Sequence, residues 1–118
     1  SGVASHAEGV STTASNTAAH AEGFGTTASN GTAHAEGEYT VASGGSSHAE
    51  GRGTIASGHY THAEGLNTEA EGYRSHAEGQ GTIAKGGSQH VQGEYNIIDP
   101  NAGYLENRGK YAHIVGNG

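Results

Sequence analysis

Histidine and glutamate are the residues of this sequence with the clearest chemical potential, because they recur together along most of the chain. Six copies of the tetrapeptide His-Ala-Glu-Gly and one degraded copy, His-Val-Gln-Gly, follow one another at an unbroken spacing of 14 residues. The residues concerned are His6, Glu8, His20, Glu22, His34, Glu36, His48, Glu50, His62, Glu64, His76, Glu78 and His90. Imidazole and carboxylate groups in this pattern suit three kinds of chemistry: proton transfer, binding of a transition metal, and ion pairing.

The strict repetition helps to choose among these three. A catalytic site needs one distinguished set of residues, and no copy here is set apart by a nucleophile or by a signal for an oxyanion site. The sequence therefore predicts no enzymatic activity and no catalytic residues. Three imidazoles that met at a threefold axis would suit Zn, Ni or Cu, but a functional metal would need one or two special sites. Identical copies favour a structural His–Glu ladder, without a resident metal or other cofactor.

A second period of seven residues shows which elements must position these side chains. Alanine recurs at every seventh position, and the series is continued by Val91 and Ile98; its members are Ala7, Ala14, Ala21, Ala28, Ala35, Ala42, Ala49, Ala56, Ala63, Ala70, Ala77 and Ala84. A repeat this regular is typical of a solenoid. A helical heptad is excluded, because the glycines that share the period would each cost about 1 kcal/mol in a helix.

Each seven-residue unit is interpreted as a short strand followed by a turn. In Thr54-Ile55-Ala56-Ser57-Gly58, small residues alternate with larger or polar ones, which is the period of a strand. Two units make a 14-residue coil with two short strands, and the coils stack at roughly 4.8 Å. Thr54 and Ala56 are predicted to point inward, while histidine and glutamate point outward. Gly58 is predicted to supply positive φ for the turn, as are Asn16 and Asn30 in the first coils.

Composition limits both the core and the partners. The 118 residues include 22 Gly and no Cys, Met or Trp, and the hydrophobic share of 31% is well below the ~45–50% of ordinary domains. A rod with an alanine core buries little apolar surface area, so one of its faces is predicted to be an interface between chains.

The net charge of −7 argues against nucleic acid as a partner. No apolar run is long enough for membrane insertion.

The units Ser75-His76-Ala77-Glu78-Gly79 and Thr82-Ile83-Ala84-Lys85-Gly86 resemble the head repeats of trimeric autotransporter adhesins, the YadA-like heads, and similar units cover residues 1–98. The resemblance implies an all-β, left-handed parallel β-roll that assembles as a homotrimer. In that family Val and Ile flank the alanine at the threefold interface. The resemblance therefore implies that all thirteen histidines and glutamates named above line the interface here. Histidine of one subunit would bond glutamate of its neighbour, and acid would weaken the assembly.

The end of the chain carries a second resemblance. Residues 110–118, Lys-Tyr-Ala-His-Ile-Val-Gly-Asn-Gly, are similar to the segment that follows such His-Ala-Glu-Gly repeats in tail-fibre and minor structural proteins of phages and prophages. Residues 1–93 are predicted to form the repeat domain, and residues 94–118 a cap or neck with a turn at Asp99-Pro100-Asn101. The cap is expected to use the bulky apolar residues Ile97, Ile98, Tyr104, Leu105, Tyr111, Ile114 and Val115.

Two functions are expected from these resemblances. The first is a non-enzymatic structural module of a trimeric extracellular fibre, such as a tail fibre on a virion, where the chain acts as a rigid spacer. The alternative is an adhesin head on a cell surface that binds a host matrix protein or glycan through its lateral surface. Tyr60, Tyr73 and Arg74, which lie on predicted turns, are the first candidates for such a contact. The opposing interpretation is that turns simply tolerate varied side chains.

Overall fold

A parallel β-solenoid with a 14-residue coil is the architecture of this chain. The computed structural model describes residues 2–100, 102–103, 109 and 111–118. Its strands, in chain order, are β1 His6–Val10, β2 Thr13–Ala14, β3 His20–Phe24, β4 Thr27–Ala28, β5 His34–Glu38, β6 Val41–Ala42, β7 His48–Arg52, β8 Ile55–Ala56, β9 His62–Leu66, β10 Glu69–Ala70, β11 His76–Ala77, β12 Ile83–Ala84, β13 His90–Glu94 and β14 His113–Asn117. Among these residues no helix is long and apolar enough to cross a bilayer.

The strands form two sheets, one on each side of the coil. The histidine sheet contains eight strands in the order β1-β3-β5-β7-β9-β11-β13-β14, and the short-strand sheet contains β2, β4, β6, β8, β10 and β12. Within the repeats every pairing is parallel and joins each residue to its copy 14 positions later, as in His48↔His62 and Ala56↔Ala70. The prediction of an all-β solenoid with two short strands per coil is confirmed, and six coils carry both strands.

The interior between the sheets is filled by alanine and by small hydroxyl residues, as predicted. Ala56 and Ala63 are completely buried, and so is Thr54. A buried hydroxyl is costly unless it is hydrogen-bonded, and Thr54 Oγ1 donates to the carbonyl of Glu50 at 3.1 Å. The same bond recurs from Thr40, Thr68 and Thr82 to the glutamate carbonyl four residues earlier. Threonine is therefore preferred over valine at this position, because its hydroxyl ties the turn to the preceding strand.

The predicted source of positive φ is wrong. Neither Gly58 nor its counterparts Asn16 and Asn30 have positive φ; the left-handed residue lies two positions later, at Tyr60 in this coil, with φ 62°. Tyr60 N donates to the carbonyl of Gly45 at 2.9 Å, a ladder bond that compensates for the left-handed backbone. Gly58 is needed for another reason: a Cβ there would collide with the carbonyl oxygen of Glu71 in the next coil.

The C-terminal segment adds one more strand to the histidine sheet. β14 pairs in parallel with β13 and aligns His113 with His90, although 23 residues separate them. Buried Asp99 helps to bring the chain back to the histidine sheet, because its Oδ2 accepts a hydrogen bond from Tyr111 N at 3.1 Å. Ile98 does not continue the alanine series as expected: it is exposed, and Ile114 packs against the core instead. The reason is that the chain leaves the 14-residue period after β13.

The other apolar residues predicted for the cap form no buried cluster among the described residues. Ile97, Tyr111 and Val115 are exposed, and Tyr104 and Leu105 lie outside the described residues. The boundary between residues 93 and 94 stays a prediction.

The thin interior makes a direct prediction about size at one alanine. Ala56→Leu should lower the free energy of unfolding by about 1–3 kcal/mol, because three extra carbons must enter a space already closed by two sheets. The neighbouring Ser57 points outward and is exposed. Ser57→Leu, the matched control, should change stability by no more than about 0.5 kcal/mol. Urea unfolding of both variants measures the difference, and equal midpoints would contradict this account of the interior.

Candidate functional site

Two columns of side chains, one of histidine and one of glutamate, run along the outer surface of the histidine sheet. The strand alternation that buries Ala49 and Ala63 turns the residues on either side of each alanine outward. In-register parallel pairing then places every histidine beside the histidine of the next coil, and every glutamate beside the next glutamate. The columns therefore follow from two features only, a period of two within the strand and a fixed period of 14 between coils.

The histidine rings form a continuous stack. Between His20 and His90, neighbouring ring centroids are 4.7–4.9 Å apart and the ring planes differ by 2–11°. His6 at the start is tilted by 49° and is more exposed than the rest. The spacing equals the distance between strands, so the backbone ladder sets the separation of the rings.

His113 is a member of this stack that the sequence analysis missed. Its ring centroid lies 5.0 Å from that of His90, with the planes 17° apart. The break in the 14-residue spacing concealed it. One signal was available, because His113-Ile114-Val115-Gly116 has the same His-x-x-Gly form as His90-Val91-Gln92-Gly93.

The glutamates connect successive histidines within a single chain. Glu50 is an example: its Oε1 lies 3.2 Å from His62 Nε2 in the next coil, and its Oε2 lies 3.8 Å from His48 Nε2 in its own coil. The contact to the next coil recurs between Glu36 and His48 at 3.3 Å, Glu64 and His76 at 3.2 Å, and Glu78 and His90 at 3.0 Å. One chain thus supplies a partner for each of these histidines. Pairing between subunits stays a prediction.

Two histidines between the ends of the stack lack such a partner. The Nε2 atoms of His20 and His34 are buried, and neither makes a hydrogen bond among the described residues. The nearest carboxylate oxygens are those of Glu22 and Glu36 in the same coils, 3.6 and 4.0 Å away. A buried nitrogen without a hydrogen bond is costly, so these atoms are available to a proton donor or to a cation.

Beside the glutamates the surface is an open groove. The fourth residue of each repeat is glycine, so no side chain covers the floor. One stretch of the groove, of about 600 Å³, is lined by the glutamates and glycines from Glu36 to Gly79, and a second, of about 490 Å³, by those from Glu8 to Gly37. The groove is therefore acidic along one wall and flat along its base.

Proximity within the columns shifts several pKa values. Burial lowers the pKa of His34, and the neighbouring rings of His48 and His20 lower it further. A hydrogen bond with Glu64 lowers the pKa of Glu50, and the same bond raises the pKa of Glu64. The hydrogen bond to His90 lowers the pKa of Glu78. The folded state thus favours a neutral His34 and ionised Glu50 and Glu78.

The predicted contact residues lie together at a corner of the coil. The His59 ring centroid is 4.8 Å from that of Tyr73 in an edge-on arrangement and 6.1 Å from that of Tyr60. Arg74 is exposed, and its Nε donates to Ser88 Oγ at 3.2 Å. The structure therefore gathers Tyr60, Tyr73 and Arg74 around His59, a residue that the sequence analysis did not select. No observation assigns a ligand to this corner.

The chain matches no known family. Comparisons with protein-family models, with curated proteins and with solved structures all returned no match. Inference about function therefore rests on the solenoid and on the two columns. Their uniformity suits repeated binding or assembly better than a single reaction centre, and the absence of enzymatic activity stays a prediction.

Proposed function

We propose that this chain is a non-enzymatic structural module of a trimeric extracellular fibre, with the two columns as its assembly face. The observation that carries the proposal is the flat, uniform and half-buried surface of the histidine sheet. Side chains of both columns from His34 to Glu78 keep 31–35% of their surface exposed in the single chain. A rigid repeating surface of this kind can pair with an identical surface along its whole length.

The small interior supports association. The roll measures 39 × 27 × 14 Å, and its interior is filled by alanine, one valine and small hydroxyl residues, together with Gln89. Apolar burial contributes about 25 cal/mol per Å², so alanine side chains supply less stabilisation than the Leu, Ile and Phe of an ordinary core. Burial of the histidine sheet between subunits would add the area that the single chain lacks.

Charge determines how such an interface can form. Three chains would carry a net charge of −21, three times the −7 of one chain. Carboxylates can enter an interface only when they are paired and hydrogen-bonded. The intrachain contacts from glutamate to histidine supply the first of these partners, and a histidine of a neighbouring subunit would supply another. The left-handed winding and threefold symmetry belong to this proposal.

The mass of the protein in solution tests the assembly. Sedimentation equilibrium at pH 7.5 with a chelator should give three times the chain mass of 11.8 kDa. Glu64→Lys places a cation between His62 and His76 and should shift the equilibrium at least tenfold towards monomer, the effect of about 1.4 kcal/mol. Glu69→Lys on the short-strand sheet is the matched control and should leave the mass unchanged. A folded wild-type monomer would refute the proposal.

An adhesin head is the second candidate, and the corner around His59 is the observation that favours it. Tyr60 is 64% exposed and contacts the same histidine as Tyr73. Exposed tyrosines next to an arginine are common at protein and glycan interfaces. If this corner binds a host glycan or matrix protein, Tyr60→Ser should abolish retention on an array of such ligands, while Tyr39→Ser, at another corner, should not. Equal retention of both variants would remove this candidate.

A further inference from the structure

We propose that the two columns bind divalent transition-metal ions of the Zn²⁺ class, each ion held by the Nε2 of one histidine and by carboxylate oxygens from two successive coils. The donor sets with two carboxylates within 4 Å of one Nε2 surround His48, with Glu36 and Glu50, and His62, with Glu50 and Glu64. This departs from the expectation of a metal-free ladder, which considered only three histidines from three subunits. Here a single chain supplies all three donors.

Distances support this donor set. Zn²⁺ binds imidazole nitrogen and carboxylate oxygen at about 2.0–2.2 Å, so tetrahedral donors lie about 3.4 Å from one another. His62 Nε2 is 3.2 Å from Glu50 Oε1 and 3.8 Å from Glu64 Oε2. A shift of a few tenths of an ångström in the flexible Glu64 side chain would bring its Oε2 to this spacing from His62 Nε2. A mixed nitrogen and oxygen set favours Zn²⁺, Ni²⁺ or Co²⁺ over Ca²⁺ and Mg²⁺, which prefer oxygen alone.

The stacked rings disfavour a site with two histidines, because in each His–Glu–His set the donor atoms lie up to 4.8 Å apart. Two Zn–N bonds together span about 4.2 Å at most. Neighbouring rings are nearly parallel and 4.9 Å apart between His48 and His62, so their Nε2 atoms are about as far apart as the centroids. One ion therefore takes one imidazole and completes its coordination with carboxylates. The fourth position is open to water or to a donor from another chain.

The unsatisfied nitrogens in the stack are a second, independent observation. His20 and His34 hold buried Nε2 atoms that make no hydrogen bond among the described residues, while carboxylate oxygens lie 3.6 and 4.0 Å away. An ion between each pair would satisfy the nitrogen lone pair and the carboxylate together. The ring proton would then reside on Nδ1. In the single chain the open groove along the glutamates gives ions access from solvent.

The stoichiometry follows from repulsion between adjacent ions. Glu50 offers one oxygen to the site at His48 and the other to the site at His62. Filling both sites would place two divalent charges about 5 Å apart, which is unfavourable, so alternate sites fill first. We expect about three ions per chain at saturation from this alternation.

Zn²⁺ titration of the chelator-treated protein, with any affinity tag removed, tests the proposal. Isothermal titration calorimetry of the wild type should show saturable binding of about three Zn²⁺ per chain. Glu50→Gln keeps the shape of the side chain but removes the shared carboxylate, and it should lose one ion or bind it at least tenfold more weakly. Glu69→Gln, the same change on the opposite sheet, should behave as the wild type.

Two further measurements test metal binding in the wild type, without relying on the Glu50 variant. In wild-type NMR spectra, Zn²⁺ should shift the ring signals of the column histidines but not that of His59, which lies off the column; this requires no variant to fold. Co²⁺ should give the intense visible absorption of four- or five-coordinate sites. No saturable Zn²⁺ binding, or equal binding by Glu50→Gln and Glu69→Gln, would overturn the proposal. The mass of the protein measured with a chelator does not depend on metal binding. Failure of metal binding and failure of trimer formation can therefore be distinguished.

Discussion

Gly51→Ala should lower the free energy of unfolding by about 3 kcal/mol or more. Gly51 lies in β7 with φ 104°, a backbone conformation that costs L-residues about 1–3 kcal/mol. A Cβ there would also collide with the carbonyl oxygen of Gly65 in the next coil. Because this carbonyl belongs to the ladder that joins the coils, relief of the collision would break the pairing of β7 with β9.

Gly31→Ala is the matched control. Gly31 lies in a turn, its φ is not positive, and a Cβ there would have no heavy atom within 4 Å. Alanine should therefore leave stability unchanged or raise it by about 0.4–1 kcal/mol, because it restricts the unfolded chain. Urea or thermal unfolding of both variants measures the contrast. A loss below about 1 kcal/mol for Gly51→Ala would show that the coils can separate locally at little cost.

Mild acid should destabilise the fold, beginning below about pH 6.5. The pKa of His34 is lowered by burial and by the rings of His20 and His48, so the unfolded chain takes up its proton first as the pH falls. The contribution of this neutral ring is fully present above the unfolded pKa of about 6.5 and is lost as the pH falls towards the folded pKa. The His34 ring lies 4.7 Å from the rings of His20 and His48, so both neighbours oppose a positive charge on it and help to lower its pKa.

A second acid step involves the glutamates, with two opposing signs. Glu50 and Glu78 have lowered pKa values, so their contribution is present above the unfolded pKa of about 4.5 and is lost as the pH falls through their folded values. The pKa of Glu64 is raised, so its protonation in the folded state offsets part of that loss. The opposing signs make the net change in stability in the carboxylate range smaller than the contributions of Glu50 and Glu78 alone.

Two substitutions test whether the loss of stability in acid arises from the histidine stack. Urea midpoints are measured from pH 7.5 to 5.0 in the presence of a chelator. His34→Gln removes a ring between two neighbours and should flatten the pH profile, whereas His6→Gln removes a tilted and exposed end ring and should leave it nearly unchanged. The opposing charges of Glu22, Glu36 and Glu50 moderate the effect and are common to both variants. A flat wild-type profile between pH 7.5 and 5.5 would contradict the prediction.

Local periodicity was sufficient to predict most of the fold. An alanine every seven residues, with threonine or serine two positions earlier, identified the interior correctly, as Thr54 and Ala56 illustrate. The 14-residue spacing predicted parallel, in-register stacking of the His-Ala-Glu-Gly strands, and with it the two outward columns. These features are readable because strand alternation depends on neighbouring residues alone, and because identical coils can stack in only one register without exposing alanine.

Other features depended on contacts between distant residues, and only the tertiary structure decided them. The left-handed backbone at Tyr60, rather than at Gly58, is set by a ladder bond to Gly45 in the preceding coil and by the close approach of Glu71 in the next. His113 entered the stack across an irregular segment, where no period could specify the register. The division of the Glu36, Glu50 and Glu64 carboxylates between two histidines is the third such feature. Spacing along the chain placed Glu50 and His62 on one face, but the side-chain torsions that direct one oxygen to His62 and the other to His48 were determined by packing between stacked coils.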